Sequence, residues 1–128
     1  MGKYRDIKLS VTTDASGDGS TTSAESPVSG RLVGVEYALG TFAAGVDVTI
    51  SITRTPSGTD QTLLTLTNAN ASAWYYPQVA VHGNTGTALT ATAGGDTIKP
   101  LCIGLPKMVI AQGGDTKTGT VTLYFACD

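Results

Sequence analysis

The sequence predicts an all-β fold: a single-domain β-sandwich or jelly-roll-like barrel of about seven or eight strands. Three observations carry this. Apolar and polar residues alternate at a period of two in several separate runs, as half-buried strands require. Clusters of Gly, Pro, Asn and Asp punctuate the runs at short intervals. No stretch shows helical periodicity beyond a single turn near Ala69–Ala73. The composition agrees, with 128 residues, 41% apolar, 16 glycines and 14% charged.

The first strand reads Tyr4–Thr13, with Ile7, Leu9 and Val11 on one face and Lys8, Ser10 and Thr12 on the other. A short polar arm precedes it, and Asp14–Ala24 reads as a polar loop with nothing to bury. From Arg31 to Leu39, Val33, Val35, Tyr37 and Leu39 are expected to share a face. Gly40–Gly45 is a connection with Phe42 tucked beneath it. Val46, Val48, Ile50 and Ile52 define a second clean strand, Thr55–Asp60 a turn, and Thr62–Thr67 the return, so Arg31–Thr67 reads as a meander. Beyond the aromatic segment at 74–77, Gln78–His82 is a short edge piece, and Gly83–Gly95 is a long connection rich in turn formers. Ile98–Leu105 is another apolar segment, broken by Pro100. Last come Met108–Ala111 and Val121–Phe125, flanking a link of Gly, Asp, Thr and Lys, which together read as a β-hairpin.

Charge and composition exclude several functions. A net charge of −2 with scattered basic residues does not fit phosphate-backbone binding, so no nucleic-acid partner is expected. No run approaches the ~20 apolar residues of a membrane span, so no membrane partner is expected either. The start, Met1–Asp6, has no secretory signal character, and Asp6 stands where a myristoylation motif needs Ser or Thr. Synthesis in a reducing cytoplasm follows from that reading. Cys102 and Cys127 permit one disulfide, for if the last two strands form a hairpin, Cys127 falls within a few residues of a position opposite Cys102. Cytosolic synthesis favours two small buried hydrophobes instead.

No nucleophile elbow or P-loop pattern occurs, and the lone His82 lacks zinc-ligand spacing. The carboxylates fall in turns or on outward strand positions, so the chain is not expected to be an enzyme. Asp14, Ser16, Asp18, Gly19 and Glu25 match the spacing of a calcium loop. However, a strand and a Pro-containing segment flank them in place of helices, and Thr21 stands where an aliphatic residue belongs. No cofactor or metal is therefore assigned. Trp74-Tyr75-Tyr76-Pro77 is the one aromatic cluster. Large aromatics dominate contact energies between proteins, so Trp74, Tyr75 and Tyr76, with Lys3, Tyr4 and Arg5 at the polar start, are the candidate contact residues.

Three motifs in order, Ser26–Leu32, Gly45–Ile50 and Val109–Gly119, resemble motifs of small β-rich virion proteins of tailed bacteriophages. The looser parts of the likeness are Asp14–Ala24 and Asn84–Gly95. The resemblance implies a head decoration or cement protein on the capsid exterior, with the major capsid protein as partner and self-association as a dimer or trimer. Alternatives are a tail or neck component, and a non-catalytic carbohydrate-binding or adhesion module.

Overall fold

The computed structural model describes residues 3–54, 59–80, 86 and 97–127. Residues 55–58 of the turn expected at Thr55–Asp60, His82 and most of the 83–95 connection lie outside the described residues. The fold is the β-sandwich expected, with ten strands among the described residues against the seven or eight expected. These are β1 (Lys3–Thr12), β2 (Gly19–Thr22), β3 (Val28–Ala38), β4 (Asp47–Thr53), β5 (Gln61–Leu66), β6 (Ala73–Tyr75), β7 (Val79–Ala80), β8 (Thr97–Ile98), β9 (Leu101–Ala111) and β10 (Thr118–Cys127).

The first sheet runs β1-β10-β3, and the far side of β3 pairs with the start of β9 at Val28–Arg31 and with β6 at Val35–Tyr37. The second sheet runs β2, the second half of β9, β4, β5. All of these pairs are antiparallel, and β7 with β8 forms a separate ribbon. The residues alternating inward from the two sheets meet in one core. Ile7, Leu9, Val35, Tyr37, Val121, Leu123 and Phe125 come from the first sheet, and Val48, Ile50, Ile52, Met108 and Ile110 from the second.

The chain therefore departs from the expected hairpin at 107–125. β9 and β10 do not pair. The link at 112–117 is an arch between sheets, and Met108 and Ile110 face Val121, Leu123 and Phe125 across the core. The reason lies in the link itself. Gln112, Gly114 and Thr116 all take positive φ (59°, 88° and 52°), which winds the backbone out of the hairpin plane. Thr13 then clamps it: its amide and the Lys117 carbonyl bond at 2.8 Å, and the Lys117 amide donates to Thr13 Oγ1 at 2.8 Å. Gly113 donates to the Gly17 carbonyl and accepts from the Ala43 amide, at 2.8 and 2.9 Å.

The expected meander is likewise corrected. β4 and β5 form its hairpin, but β3 lies in the other sheet, reached by an arch in which Phe42 is buried as anticipated. Phe42 packs where a Cβ on Gly119 would stand, which is why that position carries none. A bulge shifts the frame of β3, so that Leu32 rather than Val33 turns inward. Within the loop expected at Asp14–Ala24, Gly19–Thr22 is a strand on β9.

From Lys3 onward the chain is not a free arm. Lys3, Tyr4 and Arg5 are paired with Cys127, Ala126 and Phe125. Nor does the alternative of a disulfide hold. Cys102 and Cys127 are both free, and they flank Gly30 in one row across β9, β3 and β10. Two strand spacings of about 4.8 Å separate their backbones by more than a disulfide spans.

The corner of the sandwich is at Gly104, where β9 leaves β3 and joins β4. Its φ of 140° is open to glycine, and a Cβ there would collide with the Thr53 carbonyl oxygen. Gly104→Ala is expected to lower stability by about 2–4 kcal/mol, measured by denaturant unfolding.

Tyr37, buried, donates to the Ala69 carbonyl at 2.9 Å. Burial, and less so the nearby Tyr75, pushes its pKa up to about 12 from 10.0. Burial likewise pushes the Cys102 thiol up to about 11 from 9.0. Each folded-state pKa lies above the unfolded one, so the unfolded chain releases its proton first as pH rises. Stability is then expected to fall progressively from about pH 9 to pH 12. Tyr37→Phe should remove the upper part of that fall and cost about 1 kcal/mol at neutral pH, followed by melts across the pH series.

Candidate interaction surface

The outer face of the first sheet presents the residues that alternate away from the core. β1 contributes Tyr4, Asp6 and Lys8, β10 contributes Thr122 and Tyr124, β3 contributes Gly34 and Glu36, and β6 contributes Trp74. Register places them in rows. Lys8, Thr122, Glu36 and Trp74 lie side by side, and Asp6, Tyr124 and Gly34 form the next row. Because Gly34 has no side chain, Tyr76 lies over it, its ring about where a Cβ would make tight contact (3.3 Å).

The aromatics form a short ladder. The Trp74 ring lies 5.2 Å from that of Tyr124, with planes 25° apart, and 6.4 Å from that of Tyr76, with planes 11° apart. Such offset pairs add a modest attraction beyond the area they bury. Tyr124 is fixed by its hydroxyl, which donates to Glu36 at 3.1 Å. Its pKa is raised by partial desolvation first, then by that hydrogen bond and the Glu36 and Asp6 charges. Trp74 and Tyr76 remain 50% and 66% exposed, and Tyr4 83%.

Further along the same face, beyond Tyr76, Arg31 stands beside Leu101 and Ser29 beside Ile103, with both aliphatic side chains exposed. Next to them a hollow of about 380 Å³ is lined by Arg31, Gln78, Thr97, Ile98 and Lys99. Its one bound guanidinium, Arg31, donates to the Lys99 carbonyl at 3.1 Å.

Of the six residues expected to make contacts, the structure brings Trp74 and Tyr76 together on this face and places Tyr4 on it. Tyr75 alternates to the opposite side and packs against the core, so it is a fold residue. Arg5 is committed as well: its guanidinium donates to the Ser26 and Pro27 carbonyls at 2.6 and 3.1 Å, tying down the loop before β3. Lys3 is exposed at the end of β1. The contributor not anticipated is Tyr124. Its alternation with Leu123 and Phe125 already marked it as outward-facing, and an outward aromatic on a central strand was the available signal.

The calcium-spaced loop takes another form. Asp14 Oδ1 accepts the Ser16 and Asp18 amides at 2.8 and 3.1 Å, and β2 then carries the chain away in extended conformation before Glu25. Among the described residues no group of three acidic, His or Cys side chains is placed to hold a metal. The described helix content includes no helix long and apolar enough to cross a membrane.

No protein family matches the chain, and no curated protein matches it. A solved structure described as "Bacillus endospore appendages form a novel family of disulfide-linked pili" is similar over 99% of this chain and 89% of that one, at 12% identity and a TM-score of 0.48. A likeness that distant carries no argument about this chain's role.

The separation of face and core has a direct test. Tyr75→Ala is expected to cost about 2–3 kcal/mol of folding stability, and Trp74→Ala less than about 1 kcal/mol, in parallel denaturant titrations. Tyr124→Ala should shift the emission of Trp74, the chain's one tryptophan, to the red by uncovering a face of the ring.

Proposed function

We propose that this chain is a non-enzymatic structural protein that binds neighbouring proteins through the outer face of its first sheet. The observation that carries the reading is the ladder of Tyr76, Trp74 and Tyr124, with Leu101 and Ile103 exposed further along the same face. Clustered exposed aromatic and aliphatic side chains mark contact sites on folded proteins, and Trp and Tyr are the residues most often dominant there. A sheet face braced from behind by a buried apolar core also offers these rings at little conformational cost.

In its finer form, the proposal is a virion protein of tailed bacteriophages that sits on the head exterior and staples neighbouring major-capsid subunits. What supports this form is the ordered likeness of Ser26–Leu32, Gly45–Ile50 and Val109–Gly119 to such proteins. Many weak contacts on a repeating shell add up to firm attachment.

A second reading is favoured by one observation. The rings of Trp74 and Tyr76 are exposed and within 11° of parallel, an arrangement on which a sugar ring can stack. In this reading the chain is a carbohydrate-binding module.

The test uses capsids with and without the chain. Bound chain should raise their resistance to heat, and the double variant Trp74→Ala with Tyr76→Ala should bind about 100-fold more weakly while keeping its fold. Capsids that are equally heat-resistant without the chain would end the stapling role. Glycan-dependent change in Trp74 emission, without capsid binding, would move the assignment to the second reading.

A further inference from the structure

β1 is the edge of the first sheet. Its ten residues pair with β10 on one side, and among the described residues no strand pairs with the other. An unpaired edge this long offers a row of free amides and carbonyls to any extended chain, and proteins usually blunt such edges with charge. β1 does carry charge there, but of both signs. Asp6 and Lys8 lie two residues apart on the outer face, both exposed, and among the described residues neither makes an ion pair.

We propose that β1 pairs antiparallel with β1 of a second copy, about a two-fold axis that places Ile7 opposite Ile7. In that register Asp6 lies opposite Lys8 of the second copy and Lys8 opposite its Asp6, so two cross-strand ion pairs form on one face. The same register sets Tyr4, the most exposed of the large apolar side chains described, opposite Ser10 and diagonal to the Lys8 stem. It adds no like-charge contact from Arg5, whose guanidinium is held by the Ser26 and Pro27 carbonyls.

The charges also reject the neighbouring registers. Sliding the strands by two residues one way brings Asp6 onto Asp6, and the other way Lys8 onto Lys8. A slip of a single residue would set inward side chains against outward ones. The edge is thus self-complementary in one arrangement and self-repelling in its neighbours, as an isologous interface demands. The axis stands perpendicular to the sheet, so the two aromatic faces end up on one side of the dimer. The pairing stands independently of what those faces bind.

Sedimentation over a concentration series tests the pairing. The full chain is expected to approach twice its 13.0 kDa mass. Asp6→Lys alone, or Lys8→Asp alone, creates two like-charge pairs per dimer and should weaken dimerisation about 10-fold or more. Combining Asp6→Lys with Lys8→Asp restores both pairs with the signs exchanged, and dimerisation should return to near the parent level. Both side chains are exposed, and circular dichroism checks that each variant keeps its fold. A chain monomeric throughout the series, single reversals as dimeric as the parent, or a double reversal no better than the singles would each overturn the proposal.

Discussion

The sandwich depends on one strand serving both sheets. The first four residues of β9 bond to β3 and the remainder to β4, so the two layers are joined through continuous covalent chain and not only through packing. That arrangement requires a sharp change of direction without a break in hydrogen bonding. Gly104 provides the backbone freedom, and Pro106, which donates no amide, still accepts the Ser23 amide through its carbonyl at 2.8 Å. Corners of this sort are where strands pass between packed sheets. With β9 committed to both layers, β3 and β4 cannot be neighbours, and the arches at 39–46 and 112–117 follow.

The arches explain why the loops at one end are so closely tied together. Each must turn the chain through the thickness of the core, so its amides and carbonyls cannot continue a ladder and have to be matched locally. Thr13 bonds to Lys117, Gly17 and Ala43 to Gly113, and Thr41 to Thr118 for that purpose. The buried hydroxyl of Thr13 matters most, since it acts on the 112–117 arch from inside the structure. The aromatic face lies on the other side of the sheet from all of this, so its side chains are free of any duty in closing the core.

Much of this was legible in the sequence, and the limits are instructive. Alternation in Ile7–Val11, Val46–Ile52 and Val121–Phe125 identified strands and the side of each that is buried. It did not identify partners, because a strand with one apolar face satisfies that face equally well beside its neighbour or across from it. Hence the pattern at 107–125 suits a hairpin as well as the arch that forms, the more so because Gln112 and Thr116 adopt positive φ without being glycine. β2 was invisible because Gly19–Thr22 has no apolar alternation; main-chain bonds to β9 make it a strand. On the candidate surface, Trp74 and Tyr76 were evident from residue type. That Tyr75 belongs to the core follows from strict alternation along β6, once the segment is known to be extended.

The antiparallel pairing of Lys3 with Cys127 has a mechanical consequence. The two ends of the described chain leave the sandwich at one corner, from adjacent strands running in opposite directions. Tension applied between them would load the β1–β10 ladder one rung at a time, like a zip, where strands pulled lengthwise past each other would share the load across many rungs. Tension of that kind would therefore peel the fold open easily. Force entering through the broad face of the sheet, by contrast, would be spread over four strands at once.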